Sequence, residues 1–343
     1  MMRAGFHLAL GLGVALSCSC MRASSFAGEA AVTVVVTDDA GEPVPAATVV
    51  TGWSGPRADG DGAGAGASRK ASALTDDVGV ARLAVPAIPQ IVVMKDGYYS
   101  NGLSSLIDTP RLFTAPIFAA NDVRVSIALQ RKLRPAPMYV RRVVARIPRQ
   151  GAQVAFDMSV GDWVHPDGTG TNADLLVEMS MSYRGERDYD YICRIAFPNP
   201  HDGILLVPVR SRFRMNELRL PREAPLDGYV NEWSWNVVVG DGPAVHAKVG
   251  AQSTSGPARE FENDNFILRL RSETSPDGGL ASAMYGKIHG EITPMILPHY
   301  PARAEDCYPA ISFLVYLNPD RTRSLEWDTT QNLASGADVP LEP

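Results

Sequence analysis

The chain has 343 residues, enough for two domains, and 45% of them are hydrophobic, which is ordinary for a globular protein. Its 30 glycines and 26 prolines favour many short strands joined by turns over long helices. The net charge of −6 argues against nucleic acid as a partner.

Residues 1–28 have the pattern of an export signal. Arg3 precedes an apolar run at residues 4–16, which is too short to cross a bilayer comfortably. Two processing routes fit: lipidation of Cys18 after the lipobox-like residues 15–17, or cleavage between Ala27 and Gly28. No later segment reaches about 18 uninterrupted apolar residues. We therefore expect an exported protein without a membrane span after processing. It would lie in the periplasm, at the outer membrane or cell surface through a lipid anchor, or be secreted.

Residues 30–131 are predicted to form a first β domain. Residues 31–37 are almost all β-branched and favour a strand, and Gly41 supplies a turn behind two aspartates. Pro43 and Pro45 delay the next strand to residues 46–53, because proline cannot donate to a β ladder. Further strands are predicted at residues 80–85, 91–94 and 123–129.

Three motifs give this domain a resemblance to a known family. They are V-T-D-x-x-G-x-P-V-P-x-A-x-V from Val36, T-D-x-x-G-x-A-x-L from Thr75 and K-D-G-Y from Lys95. Together they resemble the carboxypeptidase regulatory-like domain, and the resemblance implies a prealbumin-like β-sandwich that serves as a spacer or adhesion module without catalytic residues. The glycine-rich residues 55–68 depart from the family pattern and are predicted to be a flexible surface loop.

A second, antiparallel β domain is predicted at residues 138–330, joined to the first near residues 130–138. Apolar and polar residues alternate at 175–184 and 266–271, as in half-buried strands, and no stretch has a helical period. This predicts an all-β protein whose larger sandwich could take a jelly-roll form. Residues 331–343 are expected to be a flexible tail.

Four motifs in the second domain are similar to motifs of uncharacterised exported bacterial proteins. They are GDWVHPDGTG at 161–170, NPHDGI at 199–204, MYGKIHGEI at 284–292 and YLNPDRTRSLEWD at 316–328. The resemblance implies membership of that group and carries no functional residues with it.

The strongest candidate ligand row lies in the third of these motifs. Tyr285, Lys287, His289 and Glu291 alternate with small and apolar residues, so one strand would place all four on one face. Such a row could bind an anionic or sugar ligand or carry out acid–base chemistry. The alternative is the ordinary solvent-exposed face of an antiparallel sheet. Glycines 286 and 290 on the opposite face predict the close approach of another backbone.

Trp233 and Trp235 form a second candidate site. They share a strand face and could stack against sugar rings, although two tryptophans on one face are more often part of a core.

No metal or cofactor is expected. Oxygen ligands for Ca²⁺ cluster in one glycine-rich loop, but their spacing does not match an EF-hand, and a structured turn explains the same residues: Asp162, His165, Asp167 and Asp174. No HExxH or GxSxG motif is present, so no catalytic residue is assigned.

Cys193 and Cys307 are predicted to form a disulfide, because they are the two cysteines outside the signal region of an exported chain. The alternative is a small buried thiol at Cys193 and a loop thiol at Cys307.

Two functions remain open. The first is a non-catalytic binding or structural protein of the cell envelope, whose partner is an envelope glycan or another envelope protein. The second is an exported glycan hydrolase that uses carboxylates such as Glu178, Glu232 or Glu291.

Overall fold

The computed structural model describes residues 30–54, 68–85, 90–103, 123–208, 218, 220–240, 245–249, 254–255, 264–298 and 303–336. Across these residues the regular structure consists of β-strands and one short 3-10 turn, so the all-β prediction is confirmed. None of the described segments forms a helix long and apolar enough to cross a membrane. The signal with Cys18 and loop residues 55–67 lie outside the described residues.

The first sandwich packs two four-stranded sheets, in the orders β4-β1-β8-β6 and β3-β2-β5-β7. Its valine-rich β1 alternates between buried and half-exposed residues, which is why Val32, Val34 and Val36 all point into the core. β1 and β8 run parallel, with Val32 opposite Val123 and Asp38 opposite Leu129. The strands are β1 (Ala30–Asp38), β2 (Thr48–Ser54), β3 (Ser68–Leu74), β4 (Val80–Val85), β5 (Gln90–Met94), β6 (Tyr98–Tyr99), β7 (Asn101–Leu103) and β8 (Val123–Arg131).

The second sandwich packs two seven-stranded sheets. The front sheet has the order β11-β10-β12-β13-β15-β16-β17, and the back sheet has the order β14-β18-β19-β21-β9-β22 with β20 paired to β21. The strands are β9 (Ala136–Arg146), β10 (Val154–Asp157), β11 (Asp162–Trp163), β12 (Leu175–Gly185), β13 (Asp188–Ala196), β14 (Gly203–Pro208), β15 (Glu232–Val239), β16 (Val245–Val249), β17 (Thr254–Ser255), β18 (Asp264–Thr274), β19 (Leu280–Ile288), β20 (Thr293–Leu297), β21 (Tyr308–Asn318) and β22 (Trp327–Asn332).

Much of the back sheet is buried on both faces, although the outer face of β9 is exposed from Arg142 onward. The inner face of the sheet joins the front sheet in one large core, to which Phe156, Ile195 and Phe266 contribute. Its outer face is covered by a second apolar layer that includes Ala224, Leu325 and Trp327. We call the described residues that supply this layer, 218, 220–230 and 324–327, the cover segments.

Residues 331–336 were predicted to begin a flexible tail, but in the structure they are held against β9. The side chain of Asn332 accepts from the backbone N–H of Val140 at 3.0 Å and donates to its carbonyl at 2.9 Å. The N–H of Leu333 donates to the carbonyl of Met138, and Ala334 is buried. The segment is ordered because it supplies the partners of an open edge of β9. Residues 337–343 lie outside the described range.

Candidate functional site

The predicted ligand row is split by a bend in the chain. β19 ends at Ile288, and Gly290 has a positive φ of 82°, so β19 and β20 follow the same edge of β21 as two separate strands. Tyr285 and Lys287 share a face of β19 as predicted, whereas His289 and Glu291 lie in the bend. The four residues therefore do not form one continuous row.

Two residues of the row are also buried. Tyr285 and Lys287 are only 4% and 2% exposed, because the cover segments lie over this face. The ammonium of Lys287 lies 3.4 Å from the carbonyl of Leu218 and 5.1 Å from the centre of the Tyr316 ring. The solvent-exposed face considered as the alternative is wrong for Tyr285 and Lys287, since a second layer covers them.

Trp233 and Trp235 belong to the core between the sheets. Both are less than 5% exposed, and the Trp233 ring meets Phe266 edge to face at 5.4 Å. Their rings therefore offer no open face for sugar stacking, and the core alternative describes their position.

The candidate hydrolase carboxylates do not face each other across a cleft. Glu178 lies opposite Arg194 on the neighbouring strand, and Arg194 forms an ion pair with Glu232 on the outer side of the front sheet. Glu291 lies in the bend between β19 and β20, which belong to the back sheet. A retaining or inverting hydrolase needs two carboxyl groups on either side of the scissile bond, and these three do not supply such a pair.

The predicted disulfide is wrong, because both cysteines are free thiols. Cys193 is fully buried in the core of the second sandwich, and burial raises the pKa of its thiol to about 12. Cys307 follows the 3-10 turn Ala304–Asp306 and is half-exposed, so the two sulfur atoms belong to different environments.

The loop considered for Ca²⁺ is held by protein donors instead. Asp162 accepts from the backbone of Trp163 and Thr169 and from the Thr169 hydroxyl, each at 2.8 Å. Asp174 forms an ion pair with Arg271 at 2.8 Å. Among the residues that the structure describes, no group of three or more His, Cys, Asp or Glu side chains could hold a metal ion.

Arg271 is the centre of a buried polar cluster that the sequence analysis missed. Its guanidinium contacts the carboxylates of Asp157 and Asp174, both fully buried, and its backbone N–H donates to Asp202 at 2.9 Å. Burial by itself would raise the pKa of Asp157, but hydrogen bonds, led by that from Ser159, hold it well below its usual range. The cluster ties three loops to the end of β18 and serves the fold, since its oxygens are engaged by donors of the chain itself.

A surface groove lies at one open end of the second sandwich. It encloses about 300 Å³, and we call it the tyrosine groove. One wall comes from the hairpin β12–β13, where Tyr183 and Tyr189 are cross-strand neighbours with ring centres 6.3 Å apart and planes 21° from parallel. The other wall comes from β20 and the residue after it. The groove is lined by Tyr183, Glu186, Tyr189, Tyr191, Pro294, Met295, Ile296 and Pro298.

Tyr191 fixes the two walls to each other. Its hydroxyl donates to the carbonyl of Pro294 at 3.1 Å. Burial raises the pKa of Tyr191 well above its usual value, and the nearby Tyr189, Cys193 and Glu291 act in the same direction. Tyr191 is therefore a neutral donor at physiological pH, and the groove has a fixed shape on this side.

The second notable feature is a network of ion pairs and hydrogen bonds at the joint between the domains. Glu326, on a cover segment, is 2% exposed and accepts from the backbone N–H groups of Leu133 at 3.3 Å and Arg134 at 2.6 Å. Arg222 also pairs with Glu326, donates to the carbonyl of Arg131, and forms an ion pair with Asp39 of the first sandwich at 2.7 Å. Arg131 in turn pairs with Asp38 at 2.7 Å.

These contacts connect both sandwiches and the linker in one network of charged hydrogen bonds. A cavity of about 630 Å³ lies beside the joint and is lined in part by Arg134, Arg222 and Arg323. Glu223, Asp320 and Glu326 balance these cations, so the cavity has no excess of either charge.

Comparisons with known proteins add little to this geometry. No protein-family model matches the chain, and no curated protein matches it. Among solved structures, the chain is similar to the shaft pilin SpaA from Lactobacillus rhamnosus GG at 12% sequence identity, over 75% of this chain and 92% of the pilin. The TM-score of that superposition is 0.18, which is too low to carry an argument about either fold or function.

Proposed function

We propose that this chain is an exported, envelope-attached, non-catalytic protein. In this proposal the first sandwich is a spacer, the second carries a binding surface, and the partner is an envelope glycan or another envelope protein. The observation that supports it most directly is the joint. Arg222 and Glu326 hold the two sandwiches and the linker together, as a spacer that presents a binding domain requires.

The arrangement of acidic groups favours binding over hydrolysis. Glu178 and Glu232 flank Arg194 on the outer side of a sheet. Neither the tyrosine groove nor the cavity at the joint is lined by Glu178, Glu232 or Glu291. The tyrosine groove is instead lined mainly by aromatic and apolar groups, which suit the recognition of a ligand.

Cell fractionation tests the proposed location. When the full chain is expressed in a Gram-negative host, we expect it in the membrane fraction, released by detergent and not by high salt, because the acyl chains attached at Cys18 would hold it there. The variant Cys18→Ala should move to the soluble periplasmic fraction. Cys307→Ser is the matched control and should stay with the membrane.

Two outcomes contradict the proposal. A wild-type chain that is soluble in the periplasm would show that cleavage after Ala27 is the route used and that the protein is not anchored. Release of soluble fragments from purified envelope glycan by the protein would show that it is a hydrolase.

A further inference from the structure

We infer that the tyrosine groove binds a glycan of pyranose rings that carry no acidic group, with Tyr189 as the stacking platform and Glu186 as the polar contact. This deepens the proposed function, on which it rests for the presence of such a glycan near the protein. The inference assigns the binding site to the end of the second sandwich, away from the predicted row at Tyr285 and from the buried tryptophans.

The position of the groove follows from the fold. Tyr183, Tyr189 and Tyr191 lie on the same inward faces of β12 and β13 that supply Met179 and Cys193 to the core. At this end of the sandwich these inward faces line the groove, and they carry half-buried tyrosines in place of fully buried aliphatic residues. Aromatic rings that are apolar on their faces and polar at their tips suit a surface which is partly exposed to water.

The shape and lining of the groove suit a sugar ring. A volume of about 300 Å³ is at the small end of the range for ligand sites. Pyranose rings present C–H groups on one face and hydroxyls around the rim, and tyrosine offers a π face for the former and a hydroxyl for the latter. Pro294, Met295 and Ile296 supply an apolar wall opposite the tyrosines.

The groove is also organised before any ligand arrives. The hydrogen bond from Tyr191 to the carbonyl of Pro294 joins the two walls, and the Tyr183 and Tyr189 rings stack on each other. Side chains that are already held in place lose little conformational freedom on binding, so contacts to them contribute more to affinity.

Charge decides which glycans fit. Glu186 is the one charged residue among those that the structure places around the groove. The next acids in the hairpin, Asp188 and Asp190, both pair with Arg184. Among its described lining residues the groove therefore carries a carboxylate and no cation. Such a carboxylate repels acidic sugars and accepts hydrogen bonds from hydroxyl or amino groups.

Titration with three trisaccharides of equal length tests the inference: N-acetylated chitotriose, its deacetylated amino form and trigalacturonate. Binding is followed by ligand-detected NMR on the exported full chain. We expect the acetylated and amino forms to bind. Trigalacturonate should show no binding at the ligand concentrations at which the other two saturate the protein. Tyr189→Ala should weaken both by about tenfold. Glu186→Gln should weaken the amino form by about three- to fivefold and leave the acetylated form within about twofold.

The control variant is Tyr98→Ala, a half-exposed tyrosine in a strand of the first sandwich, which should bind like the wild type. Circular dichroism must show an intact fold for each variant. If no trisaccharide binds, if trigalacturonate binds as tightly as the others, or if Tyr189→Ala binds normally, the inference is overturned. None of these outcomes changes the expected fractionation of the chain, so failure here is distinct from failure of the proposed envelope attachment.

Discussion

Cys193 and Cys307 differ in how far solvent reaches their thiols. Cys193 is fully buried opposite Met179 and Trp235, and burial raises its pKa to about 12, so it remains a protonated thiol at neutral pH. Cys307 is half-exposed, and partial burial together with Asp306 raises its pKa above the usual value. The thiolate is the reactive form, so of these two thiols only Cys307 should react in the folded protein, and it should react faster as the pH rises.

Maleimide labelling of the Cys18→Ala, Cys20→Ser double variant, purified from the periplasm, tests this difference, because Cys193 and Cys307 are then the two cysteines left in the chain. We expect one reacting thiol in the folded state and two after unfolding in urea without reductant. Cys307→Ser should abolish labelling of the folded protein, while Cys193→Ser should leave it unchanged. An unfolded chain in which Cys193 and Cys307 do not react would show that they are bridged after all.

The strand face on which a side chain lies could be predicted from the sequence, but the residues that cover that face could not. The alternation around Lys287 correctly placed it with Tyr285 and opposite Ile288. Its burial depends on residues 218 and 220–230, which lie more than 50 positions away and whose irregular backbone has no periodic signal in the sequence. The Arg271 cluster was missed for the same reason, since Asp157 and Asp174 lie about 100 residues before their partner.

At the scale of elements, Gly286 shows why β19 and β21 pair so closely. A Cβ atom at this position would lie 2.7 Å from the carbonyl oxygen of Tyr316, so the close backbone approach predicted there is confirmed. At Gly290 nothing lies within 4 Å, and the glycine serves the positive φ of the bend instead.

We expect Gly286→Ala to destabilise the second sandwich by about 1–3 kcal/mol, because the strands must move apart to admit the methyl group. For a domain of roughly 200 residues, each kcal/mol lowers Tm by about 2–4 °C. Gly185→Ala is the matched control, since it lies at the end of a strand with nothing within 4 Å of the added Cβ. Equal melting temperatures for Gly286→Ala and the wild type would refute this role for the glycine.

Strands with a clear alternating or β-branched pattern could be predicted from the sequence, and β20 could not. β12 and β18 have clear period-2 patterns and were predicted from them. β20 was not, because its Pro294 and its five residues give little signal, although it forms a wall of the tyrosine groove. The tyrosines of the groove were visible in the sequence, but the two walls meet only through the packing of separate sheets.

At the scale of the whole molecule, the joint should fix the angle between the sandwiches. Arg222 connects Asp39 in the first sandwich, the carbonyl of Arg131 and the buried Glu326. Removing one partner of a buried ion pair costs about 3–5 kcal/mol, and here the loss falls on the contact between domains. In small-angle X-ray scattering we expect the wild type to fit one rigid shape and Arg222→Ala to need a broader distribution of interdomain distances.

Arg303→Ala is the control for this experiment, because the Arg303 side chain is exposed and its ion pair with Glu305 involves no residue of the joint. It should scatter like the wild type. If Arg222→Ala also gives the wild-type profile, the domains are held by other contacts, and the spacer function loses its main support.

The parallel pairing of β1 and β8 has a mechanical consequence. The chain enters the first sandwich at Ala30 and leaves it at Arg131, at opposite ends of two adjacent strands that are in register from Val32 to Asp38. Tension between the N-terminal side and the second sandwich therefore pulls these strands along their length in opposite directions. All the hydrogen bonds between them resist such shear together, whereas a hairpin pulled from its open end breaks its bonds one after another. The topology is thus suited to withstand stretching along the axis of the molecule.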